Sequence, residues 1–153
     1  MLRGFATINY WAADLAAARE WYSELLGIEP YFERAELDGR IIGPDDPDYH
    51  RGRLGYVEFR IGDYQHELGL VDSRYAPGGP PTTTGGVVLF WHVDDVRAAV
   101  EKLLSMGAEE YQPITERGAA GFVTAAVVDP FGNILGVMYN PHYLEILRAR
   151  EQV

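Results

Sequence analysis

Apolar and polar positions first alternate along the chain and then fall into helical spacing, and this order occurs twice. Residues 5–11 alternate and predict a strand. Leu15, Ala18, Tyr22, Leu25 and Leu26 then line one face of a helix. Asp14 can cap that helix by accepting the free amides of its first turn, and Gly27 suits a left-handed stop. Residues 28–36 predict a second strand. Residues 38–53, with Gly43-Pro44-Asp45-Asp46-Pro47-Asp48, predict a polar loop able to serve as a rim or lid. Residues 54–61 and 64–71 predict a hairpin turning at Gly62-Asp63.

Residues 73–86, with Pro77-Gly78-Gly79-Pro80-Pro81, break the pattern, and Gly78-Gly79 and Gly85-Gly86 read as hinges. The order then resumes with a strand at 87–93 and a helix at 95–105, whose Val96, Ala99, Val100 and Leu103 face inward. Strands follow near 108–113, 121–128 and 134–140, the last two joined by Asp129-Pro130-Phe131-Gly132-Asn133. Residues 142–153 predict a short, frayed terminal helix. Asp14 opens Asp-Leu-Ala-Ala-Ala-Arg-Glu before Gly27, and Asp95 opens Asp-Val-Arg-Ala-Ala-Val-Glu before Gly107. The separation, 95 − 14 = 81, is about half the chain, which points to an internal duplication with function where the modules meet. The expected division is module one at 1–75, a linker at 76–85, module two at 86–140 and a tail at 141–153.

At 153 residues the chain can bury a substantial core as one domain or two packed halves. No apolar stretch has membrane-spanning length, and Met1-Leu2-Arg3-Gly4 carries no apolar run of a secretion signal. With no cysteine, disulfide and thiolate chemistry are excluded, and a cytoplasmic setting is expected. The formal charge of −10, from 23 acidic and 13 basic residues, disfavours nucleic acid and anionic lipid as partners. It favours a cationic or neutral small molecule, and it also serves solubility alone.

Strand parity places Thr7, Asn9 and Trp11 on one side of the first strand, Val88, Phe90 and His92 on the matching strand, and Gly136 with Met138 on the last. This mixture of apolar, aromatic and a few polar groups suits a small-molecule pocket, and equally a core. Glu67 either faces that side as a buried carboxylate, the environment of a base or cation anchor, or lies at a wet edge paired with Arg60 or Arg74. Glu67 and His92 are the candidate catalytic groups; His92 also suits a hydrogen-bond donor to a ligand or a structural role at a strand end. His50 and His142 read as solvated, and the four histidines lack metal-ligand spacing. No Ser/His/Asp constellation can be assembled.

The duplicated strand-helix-three-strand order, with Asp129-Pro130-x-Gly132-Asn133 before the final strand, resembles the vicinal oxygen chelate superfamily of glyoxalase I, extradiol dioxygenases and bleomycin resistance proteins. The resemblance implies an α+β fold in which two βαβββ modules form a cupped, half-open mixed β-barrel with helices outside, and a ligand in the cup. It also implies a homodimer; separately, the apolar Tyr143, Leu144, Ile146 and Leu147 crowd the tail, which could cover a partner. Enzymes of the superfamily hold a divalent metal through the first and last strands of each module. The opening slots, seven residues before each capping Asp, are here Thr7 and Val88, and the closing Glu of the second module is replaced by Gly136. In the first module the matching position is Glu67 or Gly69. One carboxylate does not hold a catalytic divalent ion, so no metal or other cofactor is expected. The resemblance then implies either a metal-free binding protein, as in bleomycin resistance, or an enzyme of the lyase, isomerase or dioxygenase type that is metal-independent or uses unusual ligands.

Overall fold

A computed structural model describes residues 6–76, 79–84, 88–117 and 119–151. The chain divides into two compact units, Met1–Thr82 and Thr83–Val153. The described order is β1 (Thr7–Ala12), α1 (Leu15–Leu26), β2 (Phe32–Leu37), β3 (Arg40–Ile42), β4 (Arg53–Ile61) and β5 (His66–Asp72) in the first. The second contains β6 (Leu89–His92), α2 (Val96–Ser105), β7 (Glu109–Arg117), β8 (Phe122–Val128), β9 (Ile134–Tyr139) and α3 (Pro141–Glu151). The fold is α+β, built from two βαβββ modules with one added strand in the first.

Each module has a mixed sheet, ordered β1-β5-β4-β2-β3 in the first and β6-β9-β8-β7 in the second. The opening strand pairs in parallel with the closing strand, β1 with β5 and β6 with β9, and the remaining pairs are antiparallel. Asp14 caps α1 by accepting the Ala17 N–H, and Asp95 caps α2 by accepting that of Ala98, each at 3.0 Å. Gly27 closes α1 with φ 68°, as its sequence position predicts.

The first core lies between α1 and one sheet face. Leu15, Ala18 and Tyr22 meet alternate residues of β1, β4 and β5, among them Tyr10, Val57, Phe59, Leu68 and Leu70, all buried. Tyr22 packs its ring 6.0 Å from that of Tyr10, which fixes the side of β1 that faces the helix. Full burial of each large side chain contributes about 1.5–3 kcal/mol. In the second unit Val96, Val100 and Leu103 of α2 are buried where the helix packs on β7, β8 and β9.

Two expectations need correction. The second strand begins at Phe32 rather than residue 28, because the chain turns after Gly27 and pairing resumes only where the Tyr31 N–H donates to Glu58 O. Residues 38–53 are also not one loop. Asp38 and Gly39, with φ 51° and 77°, form a two-residue turn pairing Leu37 with Arg40, so β2 and β3 make a tight hairpin. A 3-10 turn at Tyr49–Arg51 follows, and its Tyr49 hydroxyl donates to Glu33, which also accepts from Arg19 on α1. This segment is tied down by a part-buried network.

The Asp129–Asn133 turn is organised by one carboxylate. Asp129, 3 % exposed, accepts from the Phe131 and Asn133 amides and from the Asn133 side chain at 2.8–3.0 Å. Gly132 takes φ 92°. The hinge readings at 78, 85 and 86, and the strand starts at residues 5 and 87, lie outside the described residues.

Candidate functional site

In the first unit, alternation sends one set of side chains toward α1 and the other to the opposite face. Register aligns Thr7 with Glu67 and Asn9 with Gly69 across β1 and β5. It aligns Arg60 with Glu67 and Glu58 with Gly69 across β4 and β5. Phe32 stands opposite Glu58 on β2. The face away from α1 is therefore polar and aromatic while the other is apolar.

Glu58 is the centre of this face. Its Oε1 accepts from the Tyr56 hydroxyl at 2.8 Å and from Thr7 Oγ1 at 3.4 Å, and its Oε2 accepts from the Tyr31 hydroxyl at 2.8 Å. The Tyr31 hydroxyl also reaches Glu67 Oε1 at 3.2 Å, so one phenol lies between two carboxylates. Arg60 approaches Glu67 at 3.5 Å and covers the Tyr31 ring at 4.4 Å. Among the described residues no Arg or Lys forms an ion pair with Glu58, whose negative charge is met by neutral hydroxyls.

The phenols register this charge. The hydrogen bond to Glu58 raises the Tyr31 pKa to about 12. Burial, then the bond to Glu58, pushes Tyr56 up as well. Both remain protonated donors at neutral pH.

In the second unit Phe90 aligns with Gly136 and His92 with Met138. Thr124 aligns with Met138 from β8 and accepts from Arg117 Nε at 3.0 Å. His92 has a side chain 10 % exposed, accepts the Asn140 N–H through Nδ1 at 3.1 Å, and stacks on Tyr143 at 4.5 Å between ring centroids.

Residues 4–137 match the profile of the Glyoxalase/Bleomycin resistance protein/Dioxygenase superfamily. The chain belongs to this superfamily. Among solved structures it is similar to a glyoxalase-related enzyme from Fulvimarina pelagi, with 21% identity, TM-score 0.63, and coverage of 92% of this chain and 90% of that one. It is also similar to a glyoxalase/bleomycin resistance protein from Catenulispora acidiphila, with 21% identity, TM-score 0.53, and coverage of 88% and 96%. A glyoxalase/bleomycin resistance protein/dioxygenase family enzyme from Burkholderia phytofirmans aligns at 14% identity and TM-score 0.56, covering 88% and 96%. At these identities the structural likeness speaks for the fold. Among curated proteins none matches the sequence.

Register now decides which positions of the superfamily's two modules correspond. Asn9–Gly69 and Phe90–Gly136 occupy the same place in their parallel pairs, and 90 − 9 = 81 repeats the offset of the capping aspartates. Gly69, not Glu67, is therefore the partner of Gly136. Both glycines are enclosed. A Cβ on Gly69 would press on the Asn9 side-chain oxygen and lie 2.8 Å from the Tyr56 hydroxyl. One on Gly136 would lie 2.7 Å from Phe90 Cδ1 and 2.8 Å from Leu89 O. Both closing slots are glycines that offer no side-chain ligand, crowded by movable side chains at Gly69 and by the Phe90 ring and the Leu89 backbone at Gly136, and Thr7 and Val88 offer one weak donor between them. The residues present do not fit the superfamily's metal. Among the described residues no three His, Cys, Asp or Glu side chains gather in an arrangement able to hold one.

The sequence-predicted site residues fall into two groups. Thr7, Asn9, Trp11 and Glu67 share the first unit's outer face; Glu67 is one-third exposed and paired with Arg60 while also touching the site's Tyr31. Phe90, His92, Gly136 and Met138 come together in the second unit, with Val88 just ahead of β6. His50 and His142 are exposed, as expected. Sequence reasoning missed Glu58, Tyr56 and Tyr31. The alternation Tyr56, Glu58, Arg60 against Val57, Phe59, Ile61 was the available signal for the first two.

Proposed function

We propose that this chain is a metal-free, small-molecule-binding member of the superfamily, cytoplasmic and homodimeric, which sequesters a cationic ligand without chemistry. The observation that carries this reading is that Gly69 and Gly136, which offer no side-chain ligand, stand in the closing slots, crowded by Asn9 and Tyr56 at the first and by Phe90 and the Leu89 backbone at the second. Glu58 supplies the preference for a cation, because among the described residues its charge is met by hydroxyls alone. Ile146, 58% exposed on α3, supports a partner surface there, alongside Leu144 and Leu147. Described helices include none long and apolar enough to cross a membrane.

A second reading draws on Glu67, whose carboxylate, among the described residues, meets a phenol and a long Arg60 contact: a metal-independent isomerase or lyase with Glu67 as base. A thermal-shift titration with benzylamine and the neutral benzyl alcohol tests the cationic-ligand reading. Binding predicts that benzylamine raises Tm of the wild type more than the alcohol does, and that Glu58→Gln and Glu67→Gln erase the difference. Equal responses to both probes in all three proteins would remove the cationic-ligand reading. A monomer by light scattering at micromolar concentration would remove the dimer.

A further inference from the structure

We propose that Arg60 is the specificity-determining residue of the first unit's site: its guanidinium stands where the ligand's cation binds, and the ligand is a planar amidinium or guanidinium that displaces it. The inference rests on the cationic-ligand reading of the Glu58 and Glu67 face, and it adds which cation is taken and what competes with it.

The place is visible because Arg60 fills it. Register sets Arg60 opposite Glu67 on neighbouring strands, so both side chains leave the same face of the sheet. From there the guanidinium lies over the Tyr31 ring, 4.4 Å from its centroid, and directs Nη2 to Glu67 Oε1. Tyr31 is 47% exposed, and the side chains of Arg60 and Glu67 are 54% and 33% exposed. A group from solution therefore reaches both the ring and the carboxylate once Arg60 swings out.

Arg60 holds this position weakly. Its contact with Glu67 is 3.5 Å long, against about 2.7–2.9 Å for a good charge-assisted hydrogen bond, and exposed pairs of this kind contribute little. Arg34 makes a useful contrast, since it covers Phe32 at 4.0 Å while donating from Nη1 to the Glu33 carbonyl at 2.7 Å, and it is half-buried. Of these two arginines, Arg60 is the one a ligand can replace.

The carboxylates lack a good donor. Tyr31 has one hydroxyl hydrogen, and its shorter contact, 2.8 Å, directs that hydrogen to Glu58 Oε2. Its 3.2 Å approach to Glu67 Oε1 then sets two oxygens side by side with no hydrogen between them, and the distant Arg60 is left to serve that atom. Among the described residues two carboxylates here meet one guanidinium, so negative charge remains. A free amidinium is not tethered to β4, brings two parallel N–H groups up to Glu67, and keeps a flat face for the Tyr31 ring. An alkylammonium has the N–H groups without the flat face, and a quaternary ammonium has neither.

The test titrates the full 15N-labelled chain with benzamidine, benzylamine and benzyltrimethylammonium, and the amide shifts of Glu58, Arg60 and Glu67 give each Kd. Arg60→Gln should tighten benzamidine about fivefold, the scale of an exposed ring contact and ion pair that no longer need displacing. The gain should fall from benzamidine through benzylamine to benzyltrimethylammonium. Arg40→Gln, which removes the same charge from β3, should change none of the three affinities. Adding Glu67→Gln to Arg60→Gln should remove the gain. An unchanged or weaker benzamidine affinity in Arg60→Gln, an equal gain for all three cations, or the same gain in Arg40→Gln would overturn the proposal. Any of these alongside wild-type selectivity for benzylamine over benzyl alcohol sinks this inference alone; silence toward every cation in both wild type and Arg60→Gln sinks the cationic-ligand reading with it.

Discussion

Phe90 rests against the bare backbone of Gly136, where a Cβ would stand 2.7 Å from its ring. The Leu89 carbonyl closes the same space at 2.8 Å, and backbone in a parallel strand pair cannot step aside as a side chain can. Gly136→Ala should therefore destabilise the protein by about 1–3 kcal/mol, the cost of overpacking. Denaturant unfolding measures it, and an unchanged midpoint would show that the space is not closed. Gly69→Ala should cost less, since Asn9 and Tyr56 contact it through the ends of movable side chains.

Asp129 is buried and accepts three hydrogen bonds within its own turn. Asp129→Ala leaves the Phe131 and Asn133 amides without that acceptor and should cost about 3 kcal/mol. Asp129→Asn should lose less, because one oxygen remains. Equal losses in the two variants would mean that charge, not hydrogen-bond number, governs the turn.

The Glu58 cluster predicts an alkaline signature. Tyr31 and Tyr56 must stay protonated to donate, and their folded pKa values are raised above the ordinary value of about 10. A raised folded pKa means that these bonds contribute fully below about pH 10 and are lost as pH climbs through about 12 for Tyr31. Phenolate absorbance should therefore show tyrosines titrating later than free tyrosine, and Glu58→Gln should bring Tyr31 back toward its ordinary range. A titration unchanged by Glu58→Gln would contradict the hydrogen-bond assignment.

Much of this was legible in local patterns. Asp14 and Asp95 announce their helices because capping depends on residues three apart, and Gly27 announces the stop for a similar reason. The turn at Asp38-Gly39 was also legible, but two apolar residues in a polar stretch, Ile41 and Ile42, hid the short strand behind it. The functional face was harder. Glu58 matters because Tyr31, 27 residues away, and Thr7, 51 residues away, converge on it, and convergence at that range follows from strand order rather than from local spacing. The choice between Glu67 and Gly69 likewise needed the register of β1 on β5, since a strand pair can slide by two residues without disturbing its alternation.

Both closing-strand slots are glycines crowded by their neighbours, and we propose that the chain holds no catalytic metal. Elemental analysis of the chain, produced in medium supplemented with zinc, iron, nickel and manganese and purified without chelator, tests it most directly. Each metal should be far below one per chain, and Glu67→Gln should leave the values unchanged. A stoichiometric divalent metal that falls with Glu67→Gln would contradict the account and return the protein to the metalloenzymes of its superfamily.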